Sequence, residues 1–411
     1  MLTVAVLMLL FAIVPGLPFA PFTVGGLALG GMALWLYSQE KTKKPDPKDP
    51  EPEITPVNKS LGDLLDLDDV HVEFSPDLVN MVLDPGTGLD AKIENMRRHV
   101  ASHFGVILPE IRLTDEPSLH VGTYVVRIQG VEQARAVLRL DHIMALDPEG
   151  HADLPAGETV NEPVYGAPAR WIPEGAEDAA ALSGVTLVYP AEVLATHLLE
   201  VIKRNLGRLL TMKSMRALLD EMVNLSDPNR AEANRKLLDE MIPDRVPTDV
   251  LHAVLRLLLT EQVSVRNMPL ILEAIAEAKQ HHPTTEAICE HVRQRLGFQL
   301  VSELQRDDGS LPLIQLAPEW EDTFATYQIE GDRGRPDIAL PPELFNSLTQ
   351  AAAEEVSRVG DQGFFPAIVT SAPRRRFLRT VLTAKSIMNP VMSFEEIGVD
   401  ARPALVGVIP A

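Results

Sequence analysis

Gly157-Glu-Thr-Val-Asn-Glu-Pro-Val-Tyr-Gly-Ala-Pro-Ala-Arg-Trp171 carries two prolines, two glycines, two aromatics and two carboxylates in fifteen positions. Such punctuation marks loops and turns rather than element interiors. Strand-like runs precede it at 70–74, 110–113, 124–129 and 133–140, and a helical run follows from residue 191. The stretch is therefore expected as an insertion between the strands and a helix, which makes the unit α/β with an inserted subdomain. Loops that hold aromatics are frequent binding sites. The competing reading is a tight connection whose Tyr165 and Trp171 cover a small core.

Working outward, residues 89–104 place Ile93, Met96, Val100 and Phe104 on one helical stripe ended by Gly105. The run over 191–210 is expected to bury Val193, Leu194, His197, Leu198, Val201 and Leu209, leaving Thr196, Glu200 and Lys203 on another face. Thr196 is then free to line a neighbouring surface, or is simply solvated. Residues 211–300 read as largely helical, with Asp227-Pro228 as a cap and Thr248 opening another helix. The pair 254–265 and 266–278 has a helix-turn-helix outline, but without a basic recognition face it reads as packing. A final α/β unit follows, with strands near 313–316, 367–370 and 404–409 and helices at 342–359 and 373–385. Arg374, Arg375, Arg376 and Arg379 cluster at the start of the last helix, against the macrodipole, and read as a solvated face or as a patch answering an acidic surface.

The balance of 37 basic against 58 acidic side chains gives a net charge of -21, which repels phosphate backbones and argues against a nucleic-acid partner. A single cysteine, Cys289, precludes an intramolecular disulfide and a thiolate cluster. His281, His282 and His291 lie near it without a familiar ligand spacing and read as a solvated helix end rather than a metal site. No GxxxxGK[ST], HExxH, GxSxG or CxxC occurs, and acids such as Asp147 and Glu149 are not singled out as a pair. No catalytic residue, metal or cofactor is expected.

The N-terminal stretch is of another kind. No charged side chain occurs in the first 38 positions, and Pro15, Pro18 and Pro21 break the run into two apolar arms. The second arm, 22–37, spans about 24 Å as a helix, close to a bilayer core. The first is too short to cross alone, so the pair reads as the remnant of a transmembrane hairpin whose beginning is missing, with a secretory signal peptide as the competing reading. Lys41, Lys43 and Lys44 then place the downstream chain in the cytoplasm by the positive-inside rule. Residues 45–56 alternate proline with charge and read as a solvated tether.

In this order, several strings resemble the FlhA family, the large membrane component of the flagellar type III export gate, whose injectisome counterpart is the SctV family. They are Leu7-Met-Leu-Leu-Phe-Ala-Ile-Val-Pro-Gly-Leu-Pro18, Glu162-Pro-Val-Tyr-Gly166, Ala169-Arg-Trp171, Val193-Leu-Ala-Thr-His-Leu198, Val263-Ser-Val-Arg-Asn-Met268 and Pro390-Val-Met-Ser-Phe-Glu-Glu-Ile397. The resemblance implies a multi-subdomain α/β cytoplasmic region preceded by a transmembrane hairpin remnant (1–37) and a linker (38–65). Its parts would be a first α/β subdomain (66–140 with 190–210), an inserted docking subdomain (141–189), a central all-α subdomain (211–289) and a C-terminal α/β subdomain (290–411). It further implies an inner-membrane protein whose cytoplasmic part assembles into a homo-oligomeric, nonameric ring. The implied partners are export chaperones with bound flagellar substrates, other export gate membrane proteins and the export ATPase complex. The family's chaperone-docking dimple maps onto Glu162, Pro163, Tyr165, Gly166 and Thr196. The family pattern is often Asp-Pro-x-Phe-Gly, so Glu162 and Tyr165 depart from it while keeping charge and ring. Glu162 would then offer its carboxylate to a partner's basic or amide groups. A virulence injectisome component and a membrane-anchored enzyme are the alternatives.

Overall fold

The computed structural model describes residues 67–86, 88–147, 154–330, 336–399 and 401–411. The apolar hairpin, the tether and Glu149 lie outside the described residues. Among the described residues no helix is long and apolar enough to cross a membrane.

Strand β1 (Val70–Phe74) alternates buried and half-buried side chains, as a strand with one face on a core should. After a short turn of helix, α1 (Val79–Val82), helix α2 (Leu89–Phe104) buries Leu89, Ile93, Met96, Val100 and Phe104. Gly105 ends it at φ +73°, a left-handed conformation that glycine adopts without strain. The chain continues through β2 (Ile111–Asp115), β3 (Thr123–Ile128) and β4 (Val131–Val137). The sheet order is β2-β1-β3-β4. β1 runs parallel to β2 and antiparallel to β3, and α2 is the crossover that the parallel pair requires.

A second sheet forms from β5 (His142–Leu146), β6 (Glu158–Asn161), β7 (Pro168–Pro173) and β8 (Thr186–Val188), in the order β6-β7-β5-β8, with helix α3 (Glu177–Leu182) between β7 and β8. Along β5 and β7 the inward positions alternate. Ile143, Ala145 and Ile172 pack with Ala180 in a small core, while Met144, Ala169 and Trp171 face the main core. The sheet is thus covered on both sides.

Helix α4 (Pro190–Arg204) follows, then α5 (Leu206–Leu209). A single helix over 191–210 was expected; the break falls at Asn205, where φ is -113° and the side-chain Nδ2 donates to the Val201 carbonyl at 2.8 Å. Asparagine readily exchanges helix propagation for such local bonds.

The helical part comprises α6 (Met212–Val223), α7 (Pro228–Met241), α8 (Thr248–Thr260), α9 (Met268–Ala278), α10 (Thr285–Arg295) and α11 (Gly297–Leu304). Asp227 caps α7 as expected, accepting the N–H groups of Asn229 and Arg230. Pro247, not Thr248, is the cap residue of α8. In the helix-turn-helix outline, α8 and α9 bury Leu251, Val254, Leu255, Leu258, Ile271 and Leu272 in the main core.

The last part contains β9 (Ser310–Leu316), α12 (Glu319–Thr326), β10 (Gln328–Glu330), β11 (Pro336–Ile338), α13 (Pro342–Gly360), β12 (Ala367–Thr370), α14 (Ala372–Thr383), β13 (Val391–Ser393) and β14 (Arg402–Ile409). Strands β13-β12-β9-β14 form a wholly parallel sheet, and every residue of β12 is buried, the pattern of a strand covered on both faces.

Two sequence expectations are corrected here. Arg375 is not on a solvated face: it is 0% exposed, and its guanidinium donates to the carboxylates of Glu261 and Glu290. Beside it, Arg293 donates to Glu396 at 2.7 Å and lies 3.3 Å from Glu261. The basic cluster answers an acidic surface of the same chain, joining α8 and α10 to α14 and β13. Cys289 is not at a solvated helix end either: it is buried in α10, and burial pushes its thiol up to about 12, far from thiolate reactivity.

Candidate docking site

The stretch 157–171 folds as a β-hairpin whose strands are registered Glu158↔Trp171 through Asn161↔Pro168. Only 162–167 remains as loop, and the hairpin separates its two aromatics. Trp171 is 2% exposed and belongs to the core, whereas Tyr165 is 71% exposed. The tryptophan therefore packs into the main core rather than covering a small one, and the tyrosine covers neither.

The loop owes its shape to Glu162. Its backbone closes the turn, donating to the Ala167 carbonyl at 2.8 Å and accepting from Gly166 N–H at 3.0 Å. Its carboxylate turns inward and accepts the N–H groups of Val164 at 2.6 Å, Tyr165 at 2.5 Å and Ala167 at 3.3 Å. The side chain is only 6% exposed. A carboxylate satisfied by three N–H donors is not presented to a partner, contrary to the role expected for it from the sequence. What it does is aim Tyr165. Pro163 is half-buried at the start of the turn, and Gly166 completes it at φ +76° with open space where a side chain would be.

Helix α4 supplies the other wall. The Val164 carbonyl accepts from Arg204 Nη2 at 3.2 Å, which ties the loop to the last turn of α4. One turn earlier lies Glu200, which takes Lys203 Nζ at 2.6 Å. Partial burial first, and then Glu200, push the Tyr165 hydroxyl above its ordinary pKa. The Tyr165 side chain stays exposed. Glu200 was expected on the solvated face with Thr196, but it is buried.

Thr196 is exposed four residues before Glu200, on the same helical row and about 6 Å away along the axis. It lines a depression of about 430 Å³ between α2 and α4, with Lys92, Met96, His99, Val188 and Leu199 among its walls. Lys92 and Glu192 pair across it at 3.6 Å. α4 therefore carries Thr196 on the wall of this depression, and its last turn holds the Tyr165 loop through the Val164–Arg204 bond.

A buried polar pair lies close beneath. Tyr124 and His197 share a 2.7 Å hydrogen bond with their rings edge to face. Burial, and secondarily the Glu162 charge, push the Tyr124 hydroxyl up, so it keeps its proton. Burial and the Arg204 charge pull His197 below its ordinary pKa, with Glu162 opposing them. Sequence reasoning missed Tyr124, Glu200 and Arg204 as parts of this site. The spacing Thr196, Glu200, Arg204 is a legible signal, being i, i+4, i+8 on one face; Tyr124 carries none, because a strand 73 residues away reaches His197 only in the fold.

A family model described as the FHIPEP family matches residues 1–402. The flagellar biosynthesis protein FlhA of Caulobacter vibrioides is 34% identical over 412 residues, covering 97% of this chain and 56% of that protein. The chain spans about half the length of the curated relatives it matches. Among solved structures, the Chlamydia pneumoniae CdsV protein has a TM-score of 0.70 at 22% identity, covering 84% of this chain and 98% of that one. The nonameric EPEC SctV-C has a TM-score of 0.66 at 17% identity, covering 84% and 98%. At these identities the likeness is one of fold, and it extends across the multi-subdomain α/β architecture described above.

Proposed function

The chain belongs to the FHIPEP family, and from that premise we propose that it is a component of the bacterial flagellar type III export gate. In this reading its cytoplasmic part docks chaperones carrying export substrates. It sits in the inner membrane through its apolar N-terminal arms, with the described α/β part in the cytoplasm as one subunit of a homo-oligomeric ring, and it performs no catalysis of its own. Other gate membrane proteins and the export ATPase complex are its remaining partners.

The observation that carries the reading is the exposure of Tyr165. A tyrosine whose backbone N–H is fixed by the Glu162 carboxylate while its side chain is left in solvent is a displayed aromatic of the kind that anchors a partner. The flagellar names of the curated relatives support the choice of system. The proposed site is Tyr165 and Thr196 as contacts, with Glu162, Pro163 and Gly166 shaping the turn.

The test is capture of a flagellar chaperone with its bound late substrate from the same genome by the 411-residue chain in detergent. Retention by the wild type and loss on Tyr165→Ala with Thr196→Ala supports the reading; equal capture by both removes the site. The second reading, an injectisome gate component, draws on the fold shared with SctV proteins. Restoration of motility, rather than effector secretion, in the corresponding null strains separates the two.

A further inference from the structure

One string shared with the FlhA family, Val263-Ser-Val-Arg-Asn-Met268, has no part in the Tyr165 site. In the fold it is a rib pinned from three sides. Val265 N–H donates to the Phe104 carbonyl at 2.9 Å, Ser264 Oγ donates to the His103 carbonyl at 2.6 Å, and Gln299 Nε2 donates to the Ser264 carbonyl at 3.2 Å. Gly105 lies so close that a Cβ there would reach 2.7 Å from the Arg266 backbone nitrogen. Asn267 is spent as the cap of α9, accepting the Leu270 N–H. The rib is thus held to α2, α9 and α11 by these bonds, and the Arg266 side chain is exposed on it.

Arg266 lines a cleft of about 720 Å³ walled by the end of α2, the α6–α7 hairpin, this rib and α11. Facing it from the first turn of α7 is Arg230, whose helix is fixed by the Asp227 cap and by Asn234 Nδ2 donating to the Met222 carbonyl at 2.7 Å. Among the described residues neither guanidinium pairs with a carboxylate or donates to a carbonyl. In a chain with 58 acidic and 37 basic side chains, two exposed arginines line this one cleft without acidic partners among the described residues. Glu303 is the one carboxylate lining the cleft among the described residues, with His103 beside it. Partial burial raises the Glu303 pKa, against the opposing His103 charge and a Gln299 hydrogen bond.

We propose that this cleft binds a small oxyanion, a phosphate or a polycarboxylate, gripped jointly by Arg230 and Arg266. Both cations stand on rigid elements, so little ordering opposes binding. Guanidinium forks match the planar and tetrahedral oxygens of these ligands, and the first turns of α7 and α9 add positive potential on the same side. The site is separate from the Tyr165 face, and its ligand does not depend on the export reading.

The experiment titrates the 411-residue chain in detergent with inorganic phosphate and, separately, with citrate, by calorimetry at constant ionic strength maintained with sodium chloride. Saturable one-site binding of either is expected, with Kd about tenfold weaker in R230Q and in R266Q and no saturable binding in the double variant. R402Q, an exposed arginine on β14, is expected to bind as the wild type does. Phosphate and citrate separate the two ligand classes by which one saturates. No saturable heat with either, or unchanged affinity in the double variant, overturns the proposal.

Discussion

Replacing Glu162 with glutamine is close to isosteric and removes one charge, so its effect reports on the carboxylate clamp alone. In the native loop Oε1 accepts the Tyr165 and Ala167 N–H groups and Oε2 accepts Val164 N–H. Glutamine with its carbonyl at the Oε1 position keeps two bonds as neutral ones, each roughly half as strong, and turns an NH2 group toward Val164 N–H. Losing one charge-assisted bond of about 1.5 kcal/mol and halving two others, a loss of about 0.75 kcal/mol each, sums to about 3 kcal/mol. At about 1.4 kcal/mol per factor of ten, local opening of the loop becomes roughly a hundredfold more frequent. Hydrogen exchange followed by mass spectrometry or NMR reads this directly as faster exchange of the Val164, Tyr165 and Ala167 amides, with core amides such as those of β12 unchanged. Exchange at these three amides within about twofold of wild type would refute the inference that Glu162 shapes the loop.

Trp171→Ala is expected to lower stability by about 3–5 kcal/mol, since it empties a position in the main core, while Tyr165→Ala changes it by less than about 0.5 kcal/mol; urea unfolding of the two distinguishes a core aromatic from a displayed one. Arg375→Ala strands the Glu261 and Glu290 carboxylates and is expected to cost about 3–5 kcal/mol in the same assay, far more than Arg376→Ala on the exposed side of α14. Two pH windows arise from the shifted groups. His197 titrates below its unfolded value, so the unfolded chain takes up the proton first and stability falls as pH drops below about 6.5, a loss that His197→Asn reduces. Glu261 is held down to about 2 because the Arg293 charge and the Arg375 hydrogen bonds outweigh its burial; its contribution is present above about 4.5 and is lost as pH falls from there toward 2.

Periodicity marks the elements wherever packing is local. The α2 stripe, its Gly105 stop and strand β1 lie at the residues their patterns mark, because each buries a face that the spacing defines, and β12 lies at its short apolar run because it is buried on both faces. Tertiary chemistry was not legible. The charge on Arg375 looked solvated because the acids it meets, Glu261 and Glu290, lie 114 and 85 residues away. The docking loop was legible as a place but not as a device. Its composition marked a turn bearing a tyrosine, while the inward rotation of Glu162 depends on three N–H groups that only the folded turn aligns. Glu200 was assigned by periodicity to another face of α4 than the core stripe, yet it is buried and pairs with Lys203.

The central claim, that the Tyr165 and Thr196 face of α4 docks a chaperone with its cargo, is tested most directly by affinity. A flagellar chaperone–substrate complex from the same genome is titrated against the 411-residue chain and against Tyr165→Ala, Thr196→Ala and the pair. Removing an exposed aromatic anchor costs about 2 kcal/mol, so Tyr165→Ala is expected to weaken binding about thirtyfold and the pair further, with unfolding curves unmoved. Wild-type affinity in the double variant would contradict the account.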